Sequence, residues 1–582
     1  MSAKKSFRFI PIIIAISVVA GIVIGTFYAK NITNLRLGVV GGYSGKLSVL
    51  LHYIDERYVD TIHVNDIVEK TVPQILTELD PHSTYIPAKD LEEVNSELEG
   101  HFSGVGIQFT IQQDTVHVNS VIQGGPSEKV GLMAGDRIVT VDDSVFVGKG
   151  LSNETVMRTL RGHKNTQVKL GVTRVSEKEI LNFTVTRGDI PQNTIDATYM
   201  LSNDFGYIQI GKFGRNTHVE LLNALAMLNH KGCKGLVVDL RGNTGGYMEA
   251  AIRTVNEFLP QGKLIVYTQG RKSPRTETYA NGTGSCQKLP IVVLIDEASA
   301  SASEIFAGAI QDNDRGMIVG RRSFGKGLVQ EPIAFEDGSA IRLTIARYYT
   351  PSGRCIQRPY ESGKDENYEM DLLTRYTHGE FFSQDSIKQN ENLRYATGLG
   401  RPVYGGGGIM PDTFVPQDTI GFTSYFKSIL SKGLMIQYAF QYTDNNRKKL
   451  AKYEDEKSLL DYLRHQKVIL DRFVKYAQER GVKQRNLLIQ KSYDLLEKGI
   501  YANIIYNMLG REAYIMYVNK SDGTVKKALE ILEADKALPE APPVAEKSTM
   551  IKNNDERSET RTAQTNCTGK TPAWRLHAQC SF

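Results

Sequence analysis

The chain alternates between long stretches with helical spacing of apolar residues and a middle part with short, continuous apolar runs. The spacing is helical over about 35–98 and again over about 421–534, where charged residues occupy the polar positions. Between these stretches lie apolar, β-branched runs such as 235–240 and 291–295, each bounded by polar residues, as is typical of buried strands. The pattern therefore predicts a strand-containing centre flanked by helical regions.

The order of elements in the centre indicates its fold class. The run at 291–295 predicts a strand, 303–312 places its apolar residues on one helical face, and a second apolar run follows at 317–319. Strand, helix and strand in this order predict a βαβ unit in a mainly parallel sheet. A similar alternation over 205–259 extends the prediction to a whole α/β core.

Residues 100–187 have a different pattern, with short alternating strands separated by glycine turns. A strand is predicted at 115–122, glycine turns at 124–125 and 131–135, and a short helix near 153–161. This order predicts a small β domain inserted ahead of the α/β core.

The N-terminus predicts a membrane helix. Residues 9–29 form an uncharged, mostly apolar run of 21 residues, long enough to cross a hydrocarbon core of ~30 Å. Lys4, Lys5 and Arg8 precede it, so the positive-inside rule places the N-terminus in the cytoplasm and the rest on the outer, periplasmic side of the inner membrane. A cleaved signal peptide is the alternative, but the run is long for one and lacks a small residue three positions before Lys30.

Composition excludes several classes of function. The 582 residues are 41% hydrophobic and carry a net charge of only +5, without a basic stripe interleaved with aromatics, so nucleic acid is not an expected partner. The five cysteines are scattered and show no CxxC spacing, which argues against a zinc site or a disulfide framework. We expect no metal and no cofactor.

Serine and lysine at the two ends of the βαβ unit supply candidate chemistry. Ser301 falls near the predicted helix N-terminus, where a serine can attack a carbonyl while the N–H of Ala302 faces the developing oxyanion. No histidine occurs in 291–330, so Lys326 is the candidate base and Gln330 the residue that orients its amine. A lysine acts as a base only when burial lowers its pKa from about 10.4. The alternative is a helix-capping serine and a surface lysine.

Three motifs in this region resemble the C-terminal processing peptidases, also called tail-specific proteases. They read SASASEI at 299–305, QDNDRG at 311–316 and FGKGLVQ at 324–330, and the lysine follows the serine at a separation of 25 residues. The resemblance implies that Ser301 is the nucleophile of a serine endopeptidase, Lys326 its general base and Gln330 the residue that supports the lysine. It covers about residues 35–415.

A glycine element upstream resembles the same family. The predicted strand 235–240 leads into Arg241-Gly242-Asn243-Thr244-Gly245-Gly246, similar to the family's DLRxNPGG element, with threonine where proline is usual. The resemblance implies that Gly245 or Gly246 donates the second oxyanion N–H, without choosing between them. A nucleotide site is rejected because neither GxGxxG nor GKS/T is present.

The inserted β domain resembles a PDZ domain. In such domains a GΦGΦ-type loop offers backbone N–H groups to the C-terminal carboxylate of a peptide, which adds beside an edge strand. The matching residues are Gly104, Val105, Gly106 and Ile107, with Val156 and Leu160 placed on the groove-lining helix. The resemblance implies substrates chosen by their C-terminal tails, and the apolar loop favours apolar C-termini.

Other polar residues near these motifs are assigned supporting roles. His82 lies in an LDPHS turn that also resembles the family, and we predict a hydrogen-bonded turn residue rather than a catalytic base. Glu304 and Asp312 are predicted to support the site structurally. The acidic, tyrosine-rich insertion at 361–404 has no predicted function.

The resulting division of the chain has six parts. They are a cytoplasmic N-terminus and membrane anchor at 1–30, a helical region at 31–98, a PDZ domain at 99–188, the protease core at 189–418, a helical extension at 419–536 and a disordered tail at 537–582. The extension caps the protease or mediates self-association. Two alternatives stay open, an inactive PDZ adaptor that only binds protein C-termini and an acyl-CoA enzyme on a similar core.

Overall fold

The structure is a computed structural model that describes residues 17–22, 43–112, 114–122, 124–174, 177–363, 368–466 and 468–542. Most of the predicted anchor at 9–29 and of the predicted tail at 537–582 lies outside these residues. Among the described helices, none has both the length and the apolar composition required to cross a bilayer.

The described elements are numbered here in chain order. The helices are α1 Tyr43–Arg57, α2 Val64–Thr77, α3 Ala88–Glu99, α4 Pro126–Lys129, α5 Asn153–Leu160, α6 Thr217–His230, α7 Met248–Asn256, α8 Ala302–Asp312, α9 Asp371–Thr377, α10 Ser424–Ser431, α11 Leu434–Leu450, α12 Glu456–His465, α13 Ile469–Glu479, α14 Asn486–Lys491, α15 Tyr493–Asn519 and α16 Gly523–Glu533. The strands are β1 Thr84–Ile86, β2 His101–Gly104, β3 Ile107–Gln112, β4 Thr115–Val121, β5 Arg137–Val141, β6 Ser144–Val145, β7 Gln167–Thr173, β8 Leu181–Thr186, β9 Gly188–Pro191, β10 Ile195–Met200, β11 Phe205–Ile210, β12 Gly235–Asp239, β13 Leu264–Gln269, β14 Thr276–Tyr279, β15 Ile291–Ile295, β16 Met317–Gly320, β17 Leu328–Ala334, β18 Ala340–Tyr349, β19 Arg394–Ala396, β20 Pro402–Tyr404 and β21 Thr413–Phe414.

A six-stranded sheet forms the centre of the fold. Its order is β10-β11-β12-β15-β16-β21, and all neighbours are parallel except the antiparallel pair β10 and β11. Every residue of β12 and β15 is buried, which explains their continuous apolar runs. The predicted mainly parallel sheet and its βαβ unit are confirmed.

Both faces of this sheet are covered by helices. Helices α6, α7 and α8 pack on one face, where Leu221, Val255 and Phe306 belong to the main apolar cluster. The other face is covered by α16 and the end of α15, through residues such as Val525 and Leu532. The last helix of the helical extension is therefore part of the catalytic fold.

A second, smaller sheet lies beside the first and carries a long hairpin. Strands β17 and β18 pair antiparallel around the turn at Asp337-Gly338, and β18 also pairs with β1 and β13. This confirms the predicted turn and strand beyond Gln330. The N-terminal helical region is thereby joined to the core, because β1 follows α2 directly.

The inserted β domain is built on the sheet β3-β4-β5-β7-β8, with β6 paired to β5. Strands β2 and β9 pair antiparallel where the chain enters and leaves this domain. A cluster of valine, leucine and isoleucine residues forms its own core. An ion pair at 2.8 Å between Arg137 and Asp444 attaches the domain to helix α11 of the extension.

Candidate active site

Ser301 lies at the N-terminus of helix α8, just beyond the carboxyl end of strand β15. Its φ is +55° and its ψ −113°, a conformation that a residue with a side chain rarely adopts. Such a strained turn between a strand and a helix holds a serine at the surface of a site, with the helix N–H groups beside it. The order strand, serine, helix is the order that the sequence predicts.

The glycine element packs directly against this serine. A Cβ built on Gly245, whose φ is +109°, would lie 2.8 Å from Ser301 Cβ and 2.9 Å from the Ala300 carbonyl oxygen. Asn243 fixes both segments: its Oδ1 accepts the Gly245 N–H at 2.9 Å within the glycine element, and its backbone carbonyl accepts the Ala300 N–H of the serine segment at 3.0 Å. Only glycine allows this approach.

The same contacts separate the two candidate oxyanion donors. The N–H of Gly245 already donates to Asn243, whereas Gly246 lines the cavity next to Ser301. Neither the Gly246 N–H nor the Ala302 N–H has a hydrogen-bond partner among the described residues. These two N–H groups are therefore the ones available to an oxyanion, which favours Gly246 over Gly245.

Lys326 is largely buried, and its amine is oriented by Gln330. Its Nζ donates to Gln330 Oε1 at 3.3 Å, and Gln330 in turn donates through Nε2 to the backbone carbonyl of His82. Burial lowers the pKa of Lys326, with a further lowering from the nearby positive charge of Arg342 and an opposing effect from Asp80 and Glu304. The lowered pKa favours the neutral amine that a general base requires.

Glu304 joins the nucleophile segment to the lysine segment. This fully buried carboxylate accepts the backbone N–H groups of Ser301 at 2.8 Å, Lys326 at 2.9 Å and Gly325 at 2.7 Å, and the hydroxyl of Ser323 at 2.5 Å. Burial raises its pKa to about 7, and these four donors oppose the rise. The sequence predicts a supporting role for Glu304 but gives no sign that it contacts both halves of the site.

A cavity of about 370 Å³, called the cleft below, brings these residues together. Its described lining is Asn95, Thr244, Gly246, Tyr247, Met248, Ser301, Ile305, Lys326, Leu328, Val329, Gln330, Pro332, Arg342 and Tyr348. The hydroxyl of Tyr348, a residue that the sequence does not single out, lies against the carbonyls of Ser301 and Lys326.

His82 is placed behind Gln330 rather than in the cleft. Its Nε2 is 2.8 Å from the Tyr368 hydroxyl, and burial lowers its pKa to about 4. Tyr368 belongs to the insertion at 361–404, where a guanidinium from Arg358 lies 3.7 Å from the centre of its ring. The insertion, which has no role in the sequence prediction, therefore supports the turn that holds Gln330.

Asp312 takes a position at the far end of helix α8. It forms a fully buried ion pair with Arg354 at 2.7 Å and accepts the hydroxyl of Ser352 at 2.6 Å. Its carboxylate is committed to these partners, as the predicted supporting role requires.

The four predicted peptide-binding residues lie at the entrance to the inserted β domain. Gly104 ends strand β2, Val105 is buried, Gly106 has a φ of +79°, and Ile107 begins the edge strand β3. The position of Val156 and Leu160 differs from the prediction. Both are buried in the core of the domain, because the inner face of helix α5 packs on the sheet rather than lining an open groove.

Comparison with known proteins gives three matching families along the chain. Residues 204–369 match peptidase family S41, residues 103–186 match the PDZ domain, and residues 425–510 match a family of unknown function. The first of these matches contains Ser301, Lys326 and Gln330.

Individual relatives agree with this assignment. The carboxy-terminal-processing protease of Bartonella bacilliformis is 37% identical over 306 residues, which are 52% of this chain and 69% of the relative. The carboxy-terminal processing protease CtpB of Bacillus subtilis is 30% identical over 357 residues, 60% of this chain and 73% of the relative. A solved photosystem II D1 C-terminal processing protease is 29% identical, with a TM-score of 0.31 over 53% of this chain and 88% of that one.

Proposed function

Because the chain belongs to peptidase family S41 and is a serine-type carboxy-terminal processing protease, we propose that Ser301 and Lys326 are its catalytic nucleophile and general base. The observation that supports this most directly is the cleft, which is lined by Ser301, Lys326, Gln330 and Gly246 together. No other titratable base is needed for the chemistry, since a neutral lysine can accept the hydroxyl proton.

In the first half of the reaction Ser301 Oγ attacks the scissile carbonyl carbon while Lys326 Nζ takes its proton. The carbonyl oxygen becomes an oxyanion, which the N–H groups of Ala302 and Gly246 stabilise from the helix N-terminus and the glycine element. Gln330 keeps the amine of Lys326 in position through its hydrogen bond at 3.3 Å. Lys326 then protonates the leaving amine, and the acyl-enzyme ester remains on Ser301.

In the second half a water molecule attacks the ester carbonyl, again with Lys326 as the base. The second tetrahedral intermediate uses the same two N–H donors, and its collapse returns the proton from Lys326 to Ser301 Oγ. Each lysine protonation is reversed within one cycle, so no cofactor enters the balance.

The PDZ domain supports a proposal about substrate choice. We propose that Gly104, Val105, Gly106 and Ile107 bind the C-terminal tail of a protein substrate, with a preference for apolar ends. A strand edge with a glycine-containing loop at its start is the arrangement that such recognition uses.

The location of the protein is a separate proposal. We propose a single membrane anchor at 9–29, with the protease on the outer side, from the run of 21 uncharged residues and the three cations that precede it. Alkaline extraction of cell membranes tests it: an anchored protein stays with the membranes, whereas release into the soluble fraction would contradict the anchor.

The catalytic proposal is tested with the full chain and an unfolded reporter that carries an apolar C-terminal tail. Wild type is expected to cleave the reporter, while Ser301→Ala and Lys326→Ala do not, with at least about a thousandfold lower rate. Equal cleavage by Lys326→Ala would contradict the lysine base. Binding of the tail without cleavage by wild type would favour the inactive PDZ adaptor instead. Turnover of an acyl-CoA would favour an acyl-CoA enzyme on a similar core.

A further inference from the structure

The charges that line the cleft all have the same sign. Among the fourteen described residues that line the cleft, Lys326 and Arg342 are basic, and none of the fourteen carries a carboxylate side chain. Lys326 must be neutral when it acts as a base, so Arg342 then supplies the positive charge of the cleft. A guanidinium remains protonated throughout the pH range in which the enzyme can work.

The position of Arg342 on the hairpin directs it to the active-site face. In the register of β17 and β18, Gln330 pairs with Thr344 and Pro332 pairs with Arg342. Alternate residues of a strand share a face, so Arg342 lies on the same face as Thr344. Two residues of extended chain cover ~7 Å, which puts Arg342 about that far along the strand from the position opposite Gln330.

The guanidinium of Arg342 has no ionic or hydrogen-bonding partner within the described part of the chain. Other arginines near the site are engaged: Arg354 with Asp312, Arg358 with Asp371, and Arg322 with Glu380. Asp80, whose charge raises the pKa of Lys326, accepts hydrogen bonds from the backbone N–H and the hydroxyl of Ser83. A half-buried guanidinium without a partner, in a cleft that binds peptide, is ready to accept an anion.

We propose that Arg342 forms a subsite for a carboxylate of the peptide substrate, within a few residues of the scissile bond. The amide side chain of Asn95, which lines the same cleft, can contribute a second donor. The carboxylate comes either from an aspartate or glutamate side chain or from the free C-terminus of a short tail. The subsite rests on the proposed function, because it assumes that the peptide is cleaved at Ser301.

The experiment uses the full chain and four sets of fluorogenic peptides. Glutamate or glutamine is scanned through three positions on each side of the scissile bond, and every peptide carries either a free or an amidated C-terminus. Wild type is expected to give kcat/KM values about tenfold higher for at least one carboxylate-containing set. A glutamate effect that persists in amidated peptides identifies a side chain, and an effect of amidation in glutamine peptides identifies the C-terminus.

Arg342→Gln is expected to bring the ratio of kcat/KM between carboxylate-containing and neutral peptides close to one. Arg342→Glu is expected to transfer the preference to a lysine-containing peptide. Arg347→Gln is the matched control, because Arg347 lies on the same strand but is exposed and does not line the cleft. The control should keep the tenfold ratio. The ratio between two peptides on one variant is unaffected by a general loss of activity, so a structural effect of the substitution does not move it.

In the cleavage assay, two outcomes overturn the subsite: wild type without a carboxylate preference, or a preference that Arg342→Gln retains. Peptide binding to Ser301→Ala, measured by fluorescence anisotropy, separates the subsite from the catalytic proposal. If wild type cleaves none of the peptides, the catalytic proposal fails, and a carboxylate preference in binding that requires Arg342 still supports the subsite. Binding to Ser301→Ala that is independent of Arg342 would overturn it.

Discussion

At the scale of single residues, Glu304 fixes the relative position of the nucleophile and the base. One of its oxygens accepts the N–H groups of Ser301 and Lys326, which are 25 residues apart in the chain. The Glu304 carboxylate therefore links the segment that contains Ser301 to the loop that contains Lys326. Glu304 does not contact the reacting atoms, so it is a positioning residue.

Replacing Glu304 by glutamine is expected to lower kcat about 10- to 100-fold while the protein stays folded. Glutamine has one acceptor oxygen and one NH₂ group, so at least one of the N–H donors would face another donor, at a cost of ~1–3 kcal/mol. The measurement is kcat on the reporter beside an unfolding curve. Glu297→Gln is the control, because Glu297 lies in the loop just before helix α8 but pairs with Arg321. A kcat of Glu304→Gln like that of wild type would contradict the positioning role of Glu304.

The activity is expected to fall at low pH as Lys326 becomes protonated. Burial and the charge of Arg342 both lower the pKa of Lys326, so the neutral base persists to lower pH than in a free lysine. Removing the positive charge in Arg342→Gln raises that pKa, and the acid limb of kcat/KM should move to higher pH. Amidated glutamine peptides serve as substrate, since they avoid the proposed carboxylate subsite.

An acid limb that stays in place, or that moves to lower pH, would contradict this coupling. His82 cannot account for a limb near neutral pH, because its pKa is about 4. Glu304, whose pKa is raised to about 7, also titrates in this range, so the shift caused by Arg342→Gln is measured again in a Glu304→Gln background, where it reports on the lysine.

Sequence reasoning reaches the proposed catalytic pair but not its surroundings. Ser301 and Lys326 stand in long motifs with fixed spacing, so they can be predicted as a set. The choice between Gly245 and Gly246 needs coordinates, because it depends on which N–H is already bound by Asn243. Arg342 also escapes notice, since an arginine in an alternating strand looks like any exposed charge until its face and neighbours are known.

At the scale of elements, the site is formed where two parallel strands end and two loops cross. Strands β12 and β15 are neighbours in the central sheet, so the glycine element after β12 and the serine loop after β15 emerge at the same edge. The hydroxyl of Ser303 and the N–H of Ala300 both bond the Asn243 carbonyl and fasten one loop to the other. Ligand sites at the carboxyl ends of parallel strands follow from the same geometry.

Gly245→Ala is expected to abolish cleavage, with at least a hundredfold loss of kcat, and to destabilise the fold. The new Cβ would approach the Ala300 carbonyl oxygen to 2.9 Å and press on Ser301, in a backbone conformation unfavourable for alanine. Gly242→Ala is the matched control, because Gly242 also has a positive φ of +71° but an added Cβ meets nothing within 4 Å. Similar activities of the two variants would show that the close packing against Ser301 is unimportant.

Several elements of the core could be predicted almost residue by residue. Buried parallel strands are continuous apolar runs, so the predicted strand at 291–295 coincides with Ile291–Ile295. The sequence also predicts helix α5, but it assigns Val156 and Leu160 on that helix to a groove. A periodic pattern identifies which face is apolar, and it does not say whether another part of the same domain or a ligand covers that face.

At the scale of the whole molecule, the helical extension is a structural part of the protease. Helix α16 contacts β12, β15 and β16 of the central sheet, and Asp522 at its start accepts a hydrogen bond from Arg241 in the glycine element at 2.9 Å. Helix α11 of the same extension holds the PDZ domain through Asp444. The extension therefore contacts both the PDZ domain and the glycine element, for which an oxyanion donor is proposed.

Leu532→Ala is expected to lower the free energy of unfolding by about 2–5 kcal/mol, because its side chain is buried against the central sheet. Chemical denaturation followed by far-ultraviolet circular dichroism gives the free energy of unfolding of each variant. Leu538→Ala is the control, since Leu538 is 59% exposed and should change the stability by less than about 0.5 kcal/mol. Equal stabilities of the two variants would mean that α16 does not contribute to the core.

The sequence could not predict this arrangement. The spacing of apolar residues in 421–534 predicts helices correctly, yet the partner of an amphipathic helix depends on contacts that are far apart in the chain. Residues 237 and 532 belong to one apolar cluster although almost 300 positions separate them. A boundary drawn at a change of pattern, such as 418/419, therefore passes through a single packed layer.

The late position of α16 has a consequence for the timing of biosynthesis. A ribosome releases Ser301 and Lys326, the proposed catalytic pair, about 200 residues before the helix that covers the second face of their sheet. Until that helix emerges, an apolar surface of the sheet is exposed and Arg241 lacks its partner from the extension. Nascent chains that end before α16 would thus carry Ser301 and Lys326 without the layer that covers the second face of their sheet, so the protease core closes only after this helix has been made.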